Sequence, residues 1–141
     1  MANLKVEILA PDRPVAQVDA IGVTLPGTLG YMTILPDHAT MVSELDAGEL
    51  LVEKSSGELR YFIAGGYVDI SDNNLKVLAD VIEMSENIDV ERAKKAQKRA
   101  LDRLGLKSSD IDTPRAQRAL KRAEGRINLA RAIGGIAQHS S

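Results

Sequence analysis

At Asp89 the chain changes its pattern, and that break decides what it can fold into. Before it, short apolar stretches recur about every 8–12 residues with no helical spacing between them, the mark of an all-β region. After it, Ala, Lys, Arg, Gln and Leu dominate, all good helix formers. A chain of 141 residues cut in this way holds two modules.

The first module predicts strands throughout. Leu4, Val6 and Ile8 alternate with polar residues in LKVEILA, as in a half-buried strand. PVAQVDAIGVTLP continues with Val15, Val18, Ile21 and Val23 and stops at the turn signal Pro26-Gly27. YMTIL is short, apolar and closed by Pro36. GELLVEKSSGELRYFIA reads as a hairpin around Ser55-Ser56-Gly57, and GYVDISDNNLKVLADVIEM as a pair of strands around Asp72-Asn73-Asn74. Gly65-Gly66 stands between strands and not before a helix, so it predicts a bulge or bend and not a phosphate loop. The expectation is an antiparallel β-sandwich or barrel over residues 1–87.

Residues 88–141 predict an antiparallel two-helix hairpin. Asp89 is a natural N-cap, Glu91 follows in the first turn, and Ala93, Ala96, Ala100, Leu101 and Leu104 take helical spacing up to a stop at Gly105. After the polar GLKSSDID, a second helix starts at Asp112 or Thr113 with Pro114 in its first turn. Its stripe is Ala116, Leu120, Ala123, Ile127, Ala130 and Ile133; Gly134-Gly135 predicts its end and a short frayed tail. A seam of alanine is weak, because a buried methyl is worth ~0.8 kcal/mol against ~1.5–3 kcal/mol for Leu or Ile. A hairpin held this loosely is expected to detach and extend.

Charge divides at the same place. Residues 1–89 carry 15 acidic against 5 basic side chains, and residues 90–141 carry 13 basic against 5 acidic. The two modules attract each other and different partners. Nucleic acid is disfavoured as the partner of the basic hairpin. No aromatic residue follows Tyr67 to stack on a base, and the acidic module repels a polyanion. A solvated face or an acidic protein partner fits better.

The same composition narrows the chemistry. Cysteine is absent, which removes disulfides and thiol sites. His38 and His139 are the only histidines, so no metal site and no catalytic set is expected, and neither is any required cofactor. No apolar run reaches the ~20 residues of a membrane span, and MANLKVEILAPDRP has no signal-peptide pattern. A soluble cytoplasmic chain without direct membrane insertion is the expectation.

One motif occurs twice. I-D-x-x-R-A spans Ile88, Asp89, Arg92 and Ala93, then Ile111, Asp112, Arg115 and Ala116. Both copies read first as helix starts. In an antiparallel hairpin, counting ~1.5 Å per residue places Arg122 and Arg126 opposite Asp89 and Arg92. Three guanidiniums beside a helix N-terminus could take a polyphosphate; an Asp89–Arg126 bridge between helices is the plain alternative. The copy at Ile111 sits at the loop end and predicts a cap only.

In this order the pieces resemble one family, the epsilon subunit of bacterial F-type ATP synthases. GTLGYMTILPDHATM, FIAGGYVDISDNNLKVLAD and IDVERA are each similar to stretches of that family, and together they cover nearly the whole chain. The resemblance implies a non-catalytic rotor subunit of the central stalk, at the cytoplasmic face of the bacterial membrane. Its sandwich would bind the gamma subunit and touch the c-ring through Tyr31, Pro36 and His38. Its hairpin would move between a compact and an extended state, meet the beta and alpha subunits and inhibit ATP hydrolysis. It also implies ATP as a regulatory ligand on Glu83, Ile88, Asp89, Arg92, Ala93, Arg122 and Arg126. Thr33, Asp37 and Thr40 depart from the Gly, Gly and Pro more frequent in the family. A stand-alone nucleotide sensor and a basic nucleic-acid-binding hairpin are the alternatives.

Overall fold

Alternation turns into layers because every second residue of a strand faces the same side. In the computed structural model, which describes residues 3–105 and 112–139 with side chains as far as residue 130, eight strands form the first unit. They are β1 Leu4–Ala10, β2 Arg13–Ala20, β3 Gly22–Gly27, β4 Gly30–Ile34, β5 Met41–Glu44, β6 Gly48–Lys54, β7 Gly57–Ser71 and β8 Asn74–Met84. The sheet runs β2-β1-β8-β7-β6-β3-β4, with β5 added on β7. β1 pairs β8 in parallel, while β1–β2, β3–β4, β3–β6, β5–β7 and β6–β7 are antiparallel.

The inward set makes one core. Leu4, Val6 and Ile8 of β1 meet Val23 and Leu25 of β3, Leu50 and Val52 of β6, Val68 and Ile70 of β7, and Leu75 and Val77 of β8. All are 1 % exposed or less, so each contributes roughly 1.5–3 kcal/mol of burial. This core lies wholly within residues 4–79 and closes without the helices.

Local chemistry explains where strands part from the expectation. The single stretch expected at PVAQVDAIGVTLP is two strands, β2 and β3. At Ile21 the chain leaves β1's side; the Ile21 N–H donates to the Glu53 carbonyl at 2.8 Å and its side chain is 47 % exposed. β5 was not foreseen, since four residues are too few to establish an alternation. The bend at Gly65-Gly66 is present, with φ of 75° and 116°, but it lies inside the single strand β7. A Cβ on Gly66 would stand 1.9 Å from the Leu78 carbonyl oxygen, so only glycine lets the backbones pass. Asp72 and Asn73, at φ 49° and 61°, make the tight turn from β7 to β8 that asparagine favours.

The second unit begins after Glu83, ahead of the division expected between residues 87 and 88. A 3-10 turn, Ser85–Asn87, leads into α1, Val90–Gly105. α2 covers Thr113–His139. Both helices start on aspartate: the Arg92 N–H donates to Asp89 Oδ1, and the Arg115 N–H to Asp112 Oδ1, each at 3.0 Å. Ile111 and the rest of residues 106–111 lie outside the described residues, as do Ser140 and Ser141.

Two expectations for the helices need correction. α2 continues through Gly134-Gly135 to His139, where a stop and a frayed tail were expected. Glycine costs a helix about 1 kcal/mol relative to alanine but keeps its N–H, so it weakens a helix without necessarily ending it. Leu101 is 51 % exposed, off the seam it was assigned to. Ala93, Ala100, Ala116, Ala123 and Ile127 are buried, with Ala96, Gln97, Leu104, Ala119, Leu120 and Ala130 half-buried beside them. No helix among the described residues is long and apolar enough to cross a membrane.

Candidate functional site

The hairpin cluster is built from the cap outward. Asp89 accepts two main-chain N–H groups: that of Arg92 on its carboxylate and that of Ala93 on its carbonyl, the latter also at 3.0 Å. This leaves the Arg92 side chain exposed on the first turn, while Ala93 turns into the seam at 3 % exposure. Ile88, between the 3-10 turn and Asp89, is half-buried. On α2, Arg122 is exposed and Arg126 half-buried. The 3-10 turn lies against α2, so α2 reaches past the start of α1. Asp89, Arg92 and Ala93 thus form one local unit, and Arg122 and Arg126 sit one turn apart on the partner helix. Glu83, the remaining expected member, belongs to the first unit, half-buried on β8.

Helical geometry adds a feature not foreseen from the sequence. Arg92, Arg99 and Arg103 each directly precede a seam residue: Ala93, Ala100 and Leu104. On α2, Arg115, Arg122 and Arg126 precede Ala116, Ala123 and Ile127 in the same way. One residue is a rotation of about 100° in a right-handed helix. In two helices that run in opposite directions, the residue before each seam position falls on the same side of the pair. Six arginines therefore line one edge of the hairpin. Lys94, Lys98 and Lys121 each follow a seam residue and occupy the other edge. The signal was legible in part as a recurring Arg-apolar dipeptide, RA, RA and RL, then RA, RA, RA and RI, of which only Arg118-Ala119 turns off the edge. Arginine is the cation that grips carboxylates and phosphates in a planar, two-pronged way, whereas lysine offers a point charge, so the two edges differ in the contacts they can make.

The second cluster lies on the sandwich, and the structure separates its members. Tyr31 is near the start of β4, whereas Pro36 and His38 follow its end, so ~10 Å of strand intervenes. Tyr31 is 61 % exposed, and its hydroxyl accepts the Glu49 N–H at 2.9 Å. Gly48 makes this possible, because a Cβ there would stand 2.5 Å from the Tyr31 hydroxyl and 2.8 Å from Pro26 Cβ. Leu29, at the adjoining turn, is fully exposed.

At the other end, Leu35 is 56 % exposed, and Pro36 and His38 are half-buried. His38 Nδ1–H donates to the Ala39 carbonyl at 2.7 Å, because a carbonyl only accepts. That bond uses Nδ1 and leaves the Nε2 side of the ring for other contacts. Asp37 holds φ 67°, the left-handed region where glycine is the default. Its departure from the family's glycine is therefore a tolerated one, since aspartate is among the few residues that enter this region. Among the described residues, no group of three or more His, Cys, Asp or Glu side chains could hold a metal ion.

Comparison with known proteins places both units. Residues 3–85 match the model of the ATP synthase delta/epsilon chain, beta-sandwich domain, and residues 86–131 that of the delta/epsilon chain, long alpha-helix domain. The chain is 40 % identical over 105 residues to an ATP synthase epsilon chain of Moorella thermoacetica, covering 74 % of this chain and 78 % of the relative. It is 43 % identical over 105 residues to an ATP synthase epsilon chain of Clostridium kluyveri, covering 74 % and 80 %. In fold it is similar to a chain of the Euglena gracilis mitochondrial ATP synthase OSCP/F1/c-ring structure, with TM-score 0.81 and 23 % identity, covering 89 % of this chain and 79 % of that one. A chain of the Tetrahymena thermophila central stalk/c-ring structure gives TM-score 0.60 and 16 % identity, covering 92 % and 95 %.

Proposed function

We propose a central-stalk role for this chain, which belongs to the ATP synthase delta/epsilon family. It acts as the non-catalytic epsilon subunit of a proton- or sodium-driven F-type ATP synthase. Its sandwich docks on the gamma subunit and the c-ring, at the cytoplasmic face of the membrane. Its hairpin restrains ATP hydrolysis by engaging acidic surface of the beta and alpha subunits in the catalytic head.

The arginine edge is the observation that carries the regulatory part. Six guanidiniums on one side of a hairpin offer two-pronged contacts to carboxylates along its length. The alanine seam matters equally. Ala93, Ala100, Ala116 and Ala123 each bury only a methyl, with Ile127 and Leu129 the larger buried side chains among the described residues of α2. Much of the packing is therefore weak and can be rearranged by a partner that binds the edge. Strong opposite charges on the two modules give the hairpin a second, internal attraction to compete with that partner.

ATP enters this reading as a regulatory ligand. Asp89, Arg92 and Ala93 present the α1 N-terminus, where the helix dipole favours anions, and Arg122 and Arg126 lie on the same edge as Arg92. Ile88 would add an apolar contact to the nucleoside. A triphosphate bound there would occupy three of the six edge arginines and so compete with the acidic partner. A deciding experiment is titration of the full-length chain onto a gamma-containing catalytic head carrying an attached c-ring, with ATP hydrolysis as readout. Inhibition relieved by millimolar ATP supports the reading; a chain that neither binds the head nor changes hydrolysis contradicts it.

A further inference from the structure

Two turns far apart in sequence are tied by one asparagine. The Asp37 N–H donates to Asn73 Oδ1 at 2.6 Å, and Asn73 Nδ2–H donates back to Asp37 Oδ1 at 3.2 Å. Only one orientation of the amide satisfies both, since the main-chain N–H requires the oxygen and the carboxylate requires the NH2 group. The Asn73 carbonyl in turn accepts the Lys5 N–H at 2.7 Å, which anchors the turn to β1. Both residues hold left-handed backbone, Asp37 at φ 67° and Asn73 at φ 61°. Each is thus fixed in a conformation that few residues adopt, and each fixes the other.

We infer that Asn73 is a positioning residue that sets the Pro36–His38 loop for its contact with the c-ring; this rests on the ring-contact role proposed above. The loop has little else to hold it. It follows β4 without pairing to a strand, Leu35 beside it is exposed, and the His38 ring bonds to its own neighbour Ala39. The clamp joins that loop to the β7–β8 turn and, through Lys5, to β1, which lies between β2 and β8 in the sheet. A loop carried in this way presents Leu35 and His38 Nε2 in one arrangement, which spares the ordering cost a floppy loop meets on binding.

An exchange of side chains tests it. N73D sets two carboxylates against each other and removes the NH2 donor, whereas D37N/N73D returns a donor to the pair with the partners reversed. The full-length chain, assembled with gamma, is titrated onto isolated c-rings, and gamma binding is measured separately as the folding control. We expect N73D to weaken ring retention about tenfold with gamma binding unchanged, and D37N/N73D to recover most of it. Ring retention by N73D equal to that of the unaltered chain overturns the positioning role alone, as does a double variant that binds gamma but recovers nothing. An unaltered chain that ignores the ring overturns the ring-contact reading and the positioning role with it.

Discussion

Asp89 accepts the Arg92 N–H on its side-chain carboxylate at 3.0 Å, the contact that starts α1. Asp112 repeats it on Arg115, at the same distance, to start α2. As caps the two aspartates are equivalent, so D89A and D112A should each reduce helix stability by about 1 kcal/mol in urea unfolding followed by helicity. As members of the proposed ATP site they are not. Only Asp89 shares an edge and an end of the hairpin with Arg122 and Arg126. Calorimetry with ATP should lose its heat in D89A and R126A and keep it in D112A and R115A.

The arginine edge gives a comparison at constant charge. R115A/R122A/R126A and K94A/K98A/K121A each remove three positive charges. The first set lies on the arginine edge, and we expect it to raise the concentration needed for half-inhibition of a reconstituted ATPase by tenfold or more, roughly 0.5–1 kcal/mol per contact. The second set should shift it by less than threefold. Equal effects would mean that net charge, and not the edge, drives the interaction.

Much of this was legible in the sequence, for identifiable reasons. The aspartate caps, the alanine stripe and the strand alternation of β1 are local signals, written within a few residues. The Asn73–Asp37 clamp joins positions 36 apart, and no local pattern reports such a pair. The parallel pairing of β1 with β8 is hidden for the same reason, since nothing in either strand specifies the other as neighbour. The break at Ile21 was missed because an apolar residue continues the alternation whether or not the strand does. The arginine edge was present as repeated Arg-apolar dipeptides, but it becomes a surface only once the two helices run in opposite directions.

Gly66 and Gly57 separate steric need from backbone need. Both hold positive φ, 116° and 142°. A Cβ at Gly66 meets the Leu78 carbonyl oxygen at 1.9 Å, while one at Gly57 meets nothing within 4 Å. G57A should therefore cost about 1–2 kcal/mol from strain alone. G66A should cost more than about 4 kcal/mol or prevent folding of the sandwich. Chemical denaturation of the two variants side by side measures the difference.

Tyr61 is 4 % exposed in the sandwich core, and burial raises its phenol above the ordinary value of 10.0. The neutral form is the one the fold holds. Its contribution is complete below pH 10 and is lost as pH rises from 10 through the raised folded value, because ionisation is then easier in the unfolded chain. The urea midpoint of the sandwich should fall with rising pH in that alkaline window. Y61F should remove that part of the slope, and a slope unchanged by Y61F would assign it to other groups.

The sharpest measurement compares the full-length chain with residues 1–88 on a reconstituted gamma-containing catalytic head. The sandwich core closes within residues 4–79, so the shortened chain keeps the sandwich. We expect both forms to bind gamma, with the full-length chain suppressing ATP hydrolysis and the shortened one leaving it near the rate of the head alone. Equal hydrolysis with both forms, at saturating binding, would contradict the hairpin as the regulator.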